Sequence, residues 1–265
     1  MASASKRDNR LDAAVAAQSG ITRSQARSLI MEGRVRVGGS VAGKAGQSVP
    51  ADAAIVIERP RRFVSRGGEK LERALDVFGV DVCGARALDV GASTGGFTDC
   101  LLQRGAAHVS AVDVGYGQLD WGLRNDPRVR VLERTNFRNL PEDAFGEPFD
   151  LIVVDASFIS MRPILTRAVA YLGSGTIVAL VKPQYEAGRD LVGRGGVVRE
   201  RSTHEAVLRG LREFVPGLDL VAAGVVASPL LGPAGNREFF LELRRSGSPF
   251  DDARLASVLD GEGEA

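Results

Sequence analysis

The sequence predicts an α/β chain, in which a doubly wound, mostly parallel sheet follows a small α+β module. Three observations predict it. From residue 86 onward, short apolar runs alternate with stretches of helical spacing, as strand–helix–strand crossovers require. The first of those strands runs into a glycine-rich turn that opens a helix. The first sixty or so residues are different, with two short helical segments followed by short alternating strands.

Taken in order, the first ten residues read as a polar leader. Leu11, Ala14 and Val15 give helical spacing over Arg10–Gln18, and Gly20 ends that helix. Thr22 is placed to cap a second helix, Arg23–Glu32, whose inner face carries Ala26, Leu29 and Ile30. Strands are expected at Val35–Val37, Val41 and Ile55–Ile57, with a Gly38-Gly39 turn. Residues 59–68 read as an arginine-bearing linker, and a helix begins near Glu69. Strands are then expected at Arg86–Val90, His108–Asp113, Arg128–Leu132, Asp150–Asp155, Thr176–Val181, Leu218–Ser228 and Glu238–Arg244. Helices are expected at Gly95–Arg104, Gln118–Arg124, Ser160–Tyr171 and Glu200–Val215. The tail, residues 246–265, is rich in Gly, Ser and acids and reads as disordered or a loose helix. The domains are therefore 1–58, a linker 59–68, 69–245 and the tail.

Composition excludes several classes. The 265 residues are 44% hydrophobic and 25% charged, as in ordinary globular chains. No apolar run approaches the ~20 residues of a membrane span, and Met1–Arg10 is too polar for a secretory signal. Cys83 and Cys100 show no metal-ligand spacing, so no metal is expected and a reducing cytoplasm is the natural location. The net charge of +1 hides an asymmetry. Residues 1–70 hold 13 Lys/Arg against 6 Asp/Glu, and the remainder 21 against 27. A basic front on an acidic body suggests a polyanionic partner.

Chemistry concentrates at Leu88-Asp89-Val90-Gly91-Ala92-Ser93-Thr94-Gly95-Gly96-Phe97, between the first strand and first helix of the sheet. Gly91, Gly95 and Gly96 let a ligand approach the backbone, and the helix start offers free N–H groups. Asp113 ends the next strand, where an acid can hold ribose hydroxyls. A dinucleotide site would want glycine where Ser93 stands. Gly91-Ala92-Ser93-Thr94-Gly95 fits a serine-hydrolase elbow, but His204 is the only histidine far enough downstream and sits on a polar helix face. An S-adenosylmethionine site fits best, with Asp89 suited to a cationic sulfonium. The motif resembles the loop of the FtsJ-like 2'-O-methyltransferases.

Asp155-Ala156-Ser157-Phe158 stands where amino methylation would lead one to expect an Asn/Asp-Pro-Pro-aromatic motif, and neither cysteine is placed for C5 methylation. Lys70, Asp155, Lys182 and Glu238 instead lie before the sheet or at strand ends that line the ligand crevice of such folds. Two lysines and two carboxylates there suit activation of a hydroxyl, and their order resembles the FtsJ-like tetrad. Residues 62–71, 113–119, 124–129, 155–160, 181–186 and 228–239 together resemble the TlyA family. The front module, through Arg10-Leu11-Asp12, residues 22–27, Leu29-Ile30 and residues 33–39, resembles the S-four-type RNA-binding domain.

The resemblance implies a Rossmann-like methyltransferase that modifies cytidine 2'-hydroxyls in ribosomal RNA or ribosomal subunits, in a family often labelled hemolysins. It implies a cofactor over Gly91, Ser93, Thr94, Gly95, Gly96 and Phe97, with its ribose on Asp113 and its adenine near Asn136 and Phe137. It implies Lys182 as base or hydroxyl-orienting group, steadied by Lys70, Asp155 and Glu238. RNA contacts are expected from Arg23, Arg27, Arg34 and Arg36, and from the linker's Arg61, Arg62 and Arg66. No membrane partner is expected, and the oligomeric state stays open.

Overall fold

The computed structural model describes residues 9–31, 33–57 and 62–261. Two compact units divide the chain, residues 1–61 and 62–265.

In the first unit, β1 (Asn9–Arg10) leads into α1 (Leu11–Ser19) and α2 (Arg23–Met31), followed by β2 (Val35–Val37), β3 (Ser40–Val41), β4 (Ser48–Val49) and β5 (Ile55–Ile57). Gly20 closes α1 in the left-handed region. Thr22 and Gln25 exchange bonds at the start of α2: the Gln25 N–H donates to Thr22 Oγ1 and the Thr22 N–H to Gln25 Oε1. That reciprocal box satisfies donors the helix leaves open. β2 pairs antiparallel with β3 and β5, and β1 with β4. Leu11, Val15, Ala26, Ile30, Val35, Ala42 and Val49 fill a small core.

In the second unit, α3 (Arg66–Phe78) precedes β6 (Arg86–Val90), α4 (Gly96–Gln103), β7 (His108–Val112), α5 (Trp121–Arg124), β8 (Val129–Leu132), β9 (Phe149–Val154), α6 (Met161–Ala168), β10 (Leu172–Val181), α7 (Pro183–Glu186), α8 (Arg201–Phe214), β11 (Val221–Ala227), β12 (Phe239–Arg244) and α9 (Asp252–Asp260). The sheet order is β11-β12-β10-β9-β6-β7-β8, with β12 running opposite to the other six strands. From β6 the chain steps to β7 and β8 on one side, then crosses to β9 on the other. The crevice of a doubly wound sheet opens at that reversal, beyond the carboxyl ends of the strands. The alternation of strand side chains gives each face its own core. Leu88, Ile152 and Ile177 face α6, α8 and α9. Ala87, Leu151 and Phe240 face α3 and α4.

Two boundaries differ from the sequence expectation. The linker is shorter than 59–68, because α3 begins at Arg66 and Phe63 is buried with its ring against Gly68, where a Cβ would collide with it. In the tail, Asp252–Asp260 form a helix, α9, rather than a disordered stretch. Asp251 caps α9 by accepting from the Arg254 N–H (2.7 Å), and Leu255, Val258 and Leu259 are buried. Arg209 and Arg212 pair with Asp252, and Arg201 with Asp260. The composition of the tail concealed an i, i+3, i+4 apolar stripe over 255–259.

Candidate active site

The ends of β6 and β9 meet at Gly91. The Asp155 N–H donates to Val90 O (2.9 Å), and a Cβ on Gly91 would stand 2.5 Å from Asp155 O. With φ at +89° as well, position 91 admits only glycine. Two cavities open on either side of this contact and share Gly91, Ser93 and Asp155 as a common wall.

The larger, of about 680 Å³, is lined by Gly91, Ser93, Asp113, Asn136 and Phe137 among others. Asp113 is fixed by backbone donors: Oδ2 accepts from the Ser93 N–H (2.7 Å) and Oδ1 from the Gly115 N–H (2.6 Å). Each oxygen keeps a lone pair for a ligand. Asn136 caps the turn that holds Phe137, whose ring packs 5.7 Å from that of Tyr171. Phe158 is a residue that the sequence does not single out. It lines this cavity, is 88% exposed, adopts φ +65° and lies 5.3 Å from the Tyr185 ring. A bulky residue in the left-handed region is uncommon, and its surroundings have to hold it there.

The smaller cavity, of about 230 Å³, is lined by all four tetrad residues, Lys70, Asp155, Lys182 and Glu238, and by Arg66. Their side chains form two ion pairs. Lys70 Nζ lies 2.5 Å from Glu238 Oε2, nearly fully buried, and Lys182 Nζ lies 2.5 Å from Asp155 Oδ1. Lys182 also donates to Ser157 Oγ (2.8 Å). Thr94, Gly96 and Phe97 line this cavity rather than the larger one. Gly96 is needed because Ser65 Oγ occupies the place of a Cβ.

Asp89 and Gly95 line neither cavity. Gly95 starts α4 against Leu119 and Leu123. Asp89, expected beside the cofactor's sulfonium, is fully buried. It stands two residues before the glycine turn, where strand alternation turns it toward α4. There its Oδ2 accepts from Thr98 Oγ1 (2.7 Å), while Oδ1 has no partner. Burial pushes the Asp89 carboxyl up to about 7. His204 is also buried, bonded to Val198 O and packed on Phe239, and lines neither cavity.

In the first unit, Arg10, Arg23 and Arg27 all reach the buried carboxylate of Asp12, at 3.0 Å each. The Arg10 hydrogen bond above all, with those of Arg27 and Arg23, holds the Asp12 carboxyl well below the usual carboxylate range. The three guanidinium groups stay about half exposed. Arg34 and Arg36 flank and enter β2 half-buried, and Arg36 donates to Gly39 O. Arg62 is paired with Glu72 (2.6 Å), Arg66 is exposed, and Arg61 lies outside the described residues.

The family profile of FtsJ-like methyltransferases matches residues 63–245, and that of the S4 domain matches residues 9–55. The chain is 49% identical over 249 residues to a 16S/23S rRNA (cytidine-2'-O)-methyltransferase TlyA of Mycobacterium tuberculosis, spanning 91% of this chain and 93% of that protein. It is 39% identical to Hemolysin A of Brachyspira hyodysenteriae, over 82% and 92% of the two chains. A solved structure from Streptococcus thermophilus, also described under the name hemolysin, is 40% identical with a TM-score of 0.73, over 97% and 96% of the two chains. Among the described residues no helix is long and apolar enough to cross a membrane. By profile, identity and coverage, the chain belongs to the FtsJ-like methyltransferases, and among them to the TlyA family with its S4 domain in front.

Proposed function

We propose that the chain methylates the 2'-hydroxyl of cytidine in ribosomal RNA, using S-adenosylmethionine. One observation carries this reading: Lys70, Asp155, Lys182 and Glu238, from four separate stretches of sequence, line one small cavity that shares a wall with a larger cavity floored by glycine. The larger cavity suits the cofactor. Its backbone floor at Gly91 has no side chain, and Asp113 is fixed by two N–H donors with lone pairs to spare for ribose hydroxyls. Asn136 and Phe137 offer a polar edge and an apolar face for the adenine. The cofactor supplies an electrophilic methyl group.

The residues of the smaller cavity act on the RNA ribose. Lys182 Nζ, held by Asp155 and Ser157, orients the 2'-hydroxyl, and once its ammonium has passed a proton to the paired Asp155 carboxylate the free amine takes the hydroxyl proton. Lys70, anchored by Glu238, steadies the oxygen as negative charge develops on it. Fixing both lysines by carboxylates places most of the catalytic effect in orientation. The target ribose has to be single-stranded or extruded to enter so small a cavity. Arg23, Arg27, Arg34 and Arg36 grip phosphates of a structured RNA and bring it to the site. A chain acting on ribosomal RNA works in the cytoplasm.

The test is to incubate the full chain with methyl-labelled S-adenosylmethionine and ribosomal subunits, then digest the RNA to nucleosides. Label in 2'-O-methylcytidine supports the reading. Label in a base-methylated nucleoside, or none, sinks it.

A further inference from the structure

Asp155 and Lys182 are carried on two irregular segments, residues 155–161 and 182–186, that meet at three successive places. At one end Lys182 meets Asp155 and Ser157. In the middle the rings of Phe158 and Tyr185 lie 5.3 Å apart. At the far end stands Glu186. Its Oε2 accepts from Ser160 Oγ (2.8 Å) and its Oε1 from the Met161 N–H (2.5 Å), the first residue of α6.

Neither segment can hold its own shape. The helix that follows Lys182, α7, is a single turn of four residues, far below the length at which a helix is stable alone. Pro183 restricts Lys182 to extended backbone, observed at φ −112° and ψ 101°, but fixes only that end. The opposing turn contains Phe158 in the left-handed region, a conformation the surroundings have to impose. Glu186 ties the two together by both carboxylate oxygens, at the N-terminus of α6, where a negative charge is favoured. Burial pushes the Glu186 carboxyl up, a cost of ionisation that the Met161 and Ser160 donors offset only in part. Glu186 touches neither cavity.

We propose that Glu186 is a positioning residue for the methyl-transfer site: by clamping Ser160 and Met161 it sets the register of the Lys182 turn against the Asp155–Phe158 turn. It thereby holds Lys182 Nζ on Asp155 and Phe158 on the wall of the larger cavity. The catalytic part of this inference rests on the function proposed above. The placement of Lys182 does not.

The test uses the full chain and the variants Glu186→Ala, Glu186→Gln and Ser160→Ala. One measurement is independent of turnover: the rate at which a lysine-directed acylating reagent labels Lys182, mapped by mass spectrometry. Glu186→Ala should raise that rate several-fold. Glu186→Gln should stay near wild type, since its amide oxygen can accept from Met161 and its amide N–H can donate to Ser160. The second measurement is methyl transfer to ribosomal subunits. Glu186→Ala should lower kcat about tenfold or more, within the range orientation commands, with KM for RNA changed less than about twofold. In a Lys182→Ala background Glu186→Ala should add no further loss, because its effect passes through Lys182. Unchanged labelling of Lys182 in Glu186→Ala overturns the proposal whatever the activity. So does a loss that multiplies with that of Lys182→Ala, which would mean that Glu186 only supports the fold. If Glu186→Ala does not fold, Ser160→Ala carries the same comparison, with a smaller rise in labelling expected and no change overturning it. Absence of methyl transfer by the wild-type chain would sink the proposed function and leave the labelling test standing.

Discussion

Lys182 lines the smaller cavity, paired with Asp155 of the shared wall, and its removal isolates its role. Lys182→Ala is expected to lower methyl transfer by about two orders of magnitude or more, as loss of an acid–base group does. S-adenosylmethionine and RNA affinities should change little, because the larger cavity and the first unit are untouched. Titration of both ligands beside single-turnover kinetics checks this, and near wild-type transfer would end the assignment. Asp89 gives a pH prediction. Its folded carboxyl titrates at about 7, above the unfolded value, so its contribution to stability is fully present below about 4 and is lost as pH rises through 7. Asp89→Asn should therefore shrink the fall in Tm between pH 5 and pH 8, and an unaltered fall would show that Asp89 does not titrate there. The tetrad is legible in the sequence because strand ends of such a sheet converge. Its pairing is not: Lys182 meets Asp155 because β10 lies beside β9, and Lys70 on α3 meets Glu238 from 168 residues away, which no local pattern reveals. Ser157 and Phe158 stand in plain view, but as sequence they speak through a family resemblance and the amino-methylation motif they lack, not through a role of their own.

Elements with strong periodicity are legible within a few residues. The first strand of the sheet, Arg86–Val90, matches its expected bounds to the residue, whereas Gln118–Arg124 shrinks to the single turn of α5, capped by Asp120. The failure at α9 is physical. A short helix is marginal alone, so its existence depends on a groove that only the folded sheet supplies. Leu255→Ala, at a side chain 1% exposed, should cost about 2–5 kcal/mol. For a unit of this size that is a drop of roughly 5–15 °C in Tm. Calorimetry on the variant checks it, and an unshifted transition would return the tail to the surface. Arg237 adds a link from α9 to the site, since it donates to Leu259 O and Val258 O and is the neighbour of Glu238.

For the whole molecule, two units with separate cores imply separable tasks. Deleting residues 1–58 should remove most RNA affinity while the remainder binds S-adenosylmethionine as before. The dependence of RNA binding on salt should flatten by roughly 0.7–0.9 for each phosphate that the shortened chain no longer neutralises. Equal methylation of ribosomal subunits by the truncated chain would show that the front unit is not the anchor. Asp12 limits how its arginines can be probed. Reversing Arg23 and Arg27 to glutamate would set two more carboxylates against a buried one, so a loss of binding would report unfolding; glutamine is the informative replacement. The two-unit organisation is legible from composition, but the Asp12 cluster is not, because Arg23 and Arg27 read as free cations until the fold brings Asp12 between them.

Gly91, Ser93 and Asp155 line both cavities, so the two pockets adjoin. A single synthetic molecule can therefore occupy both, with a nucleoside in the larger, a cytidine ribose in the smaller and a short tether across Asp155. Joining the halves turns the second binding event into an intramolecular one. Such an inhibitor should displace S-adenosylmethionine and RNA alike, and should bind more tightly than either half alone by the effective concentration that the tether imposes.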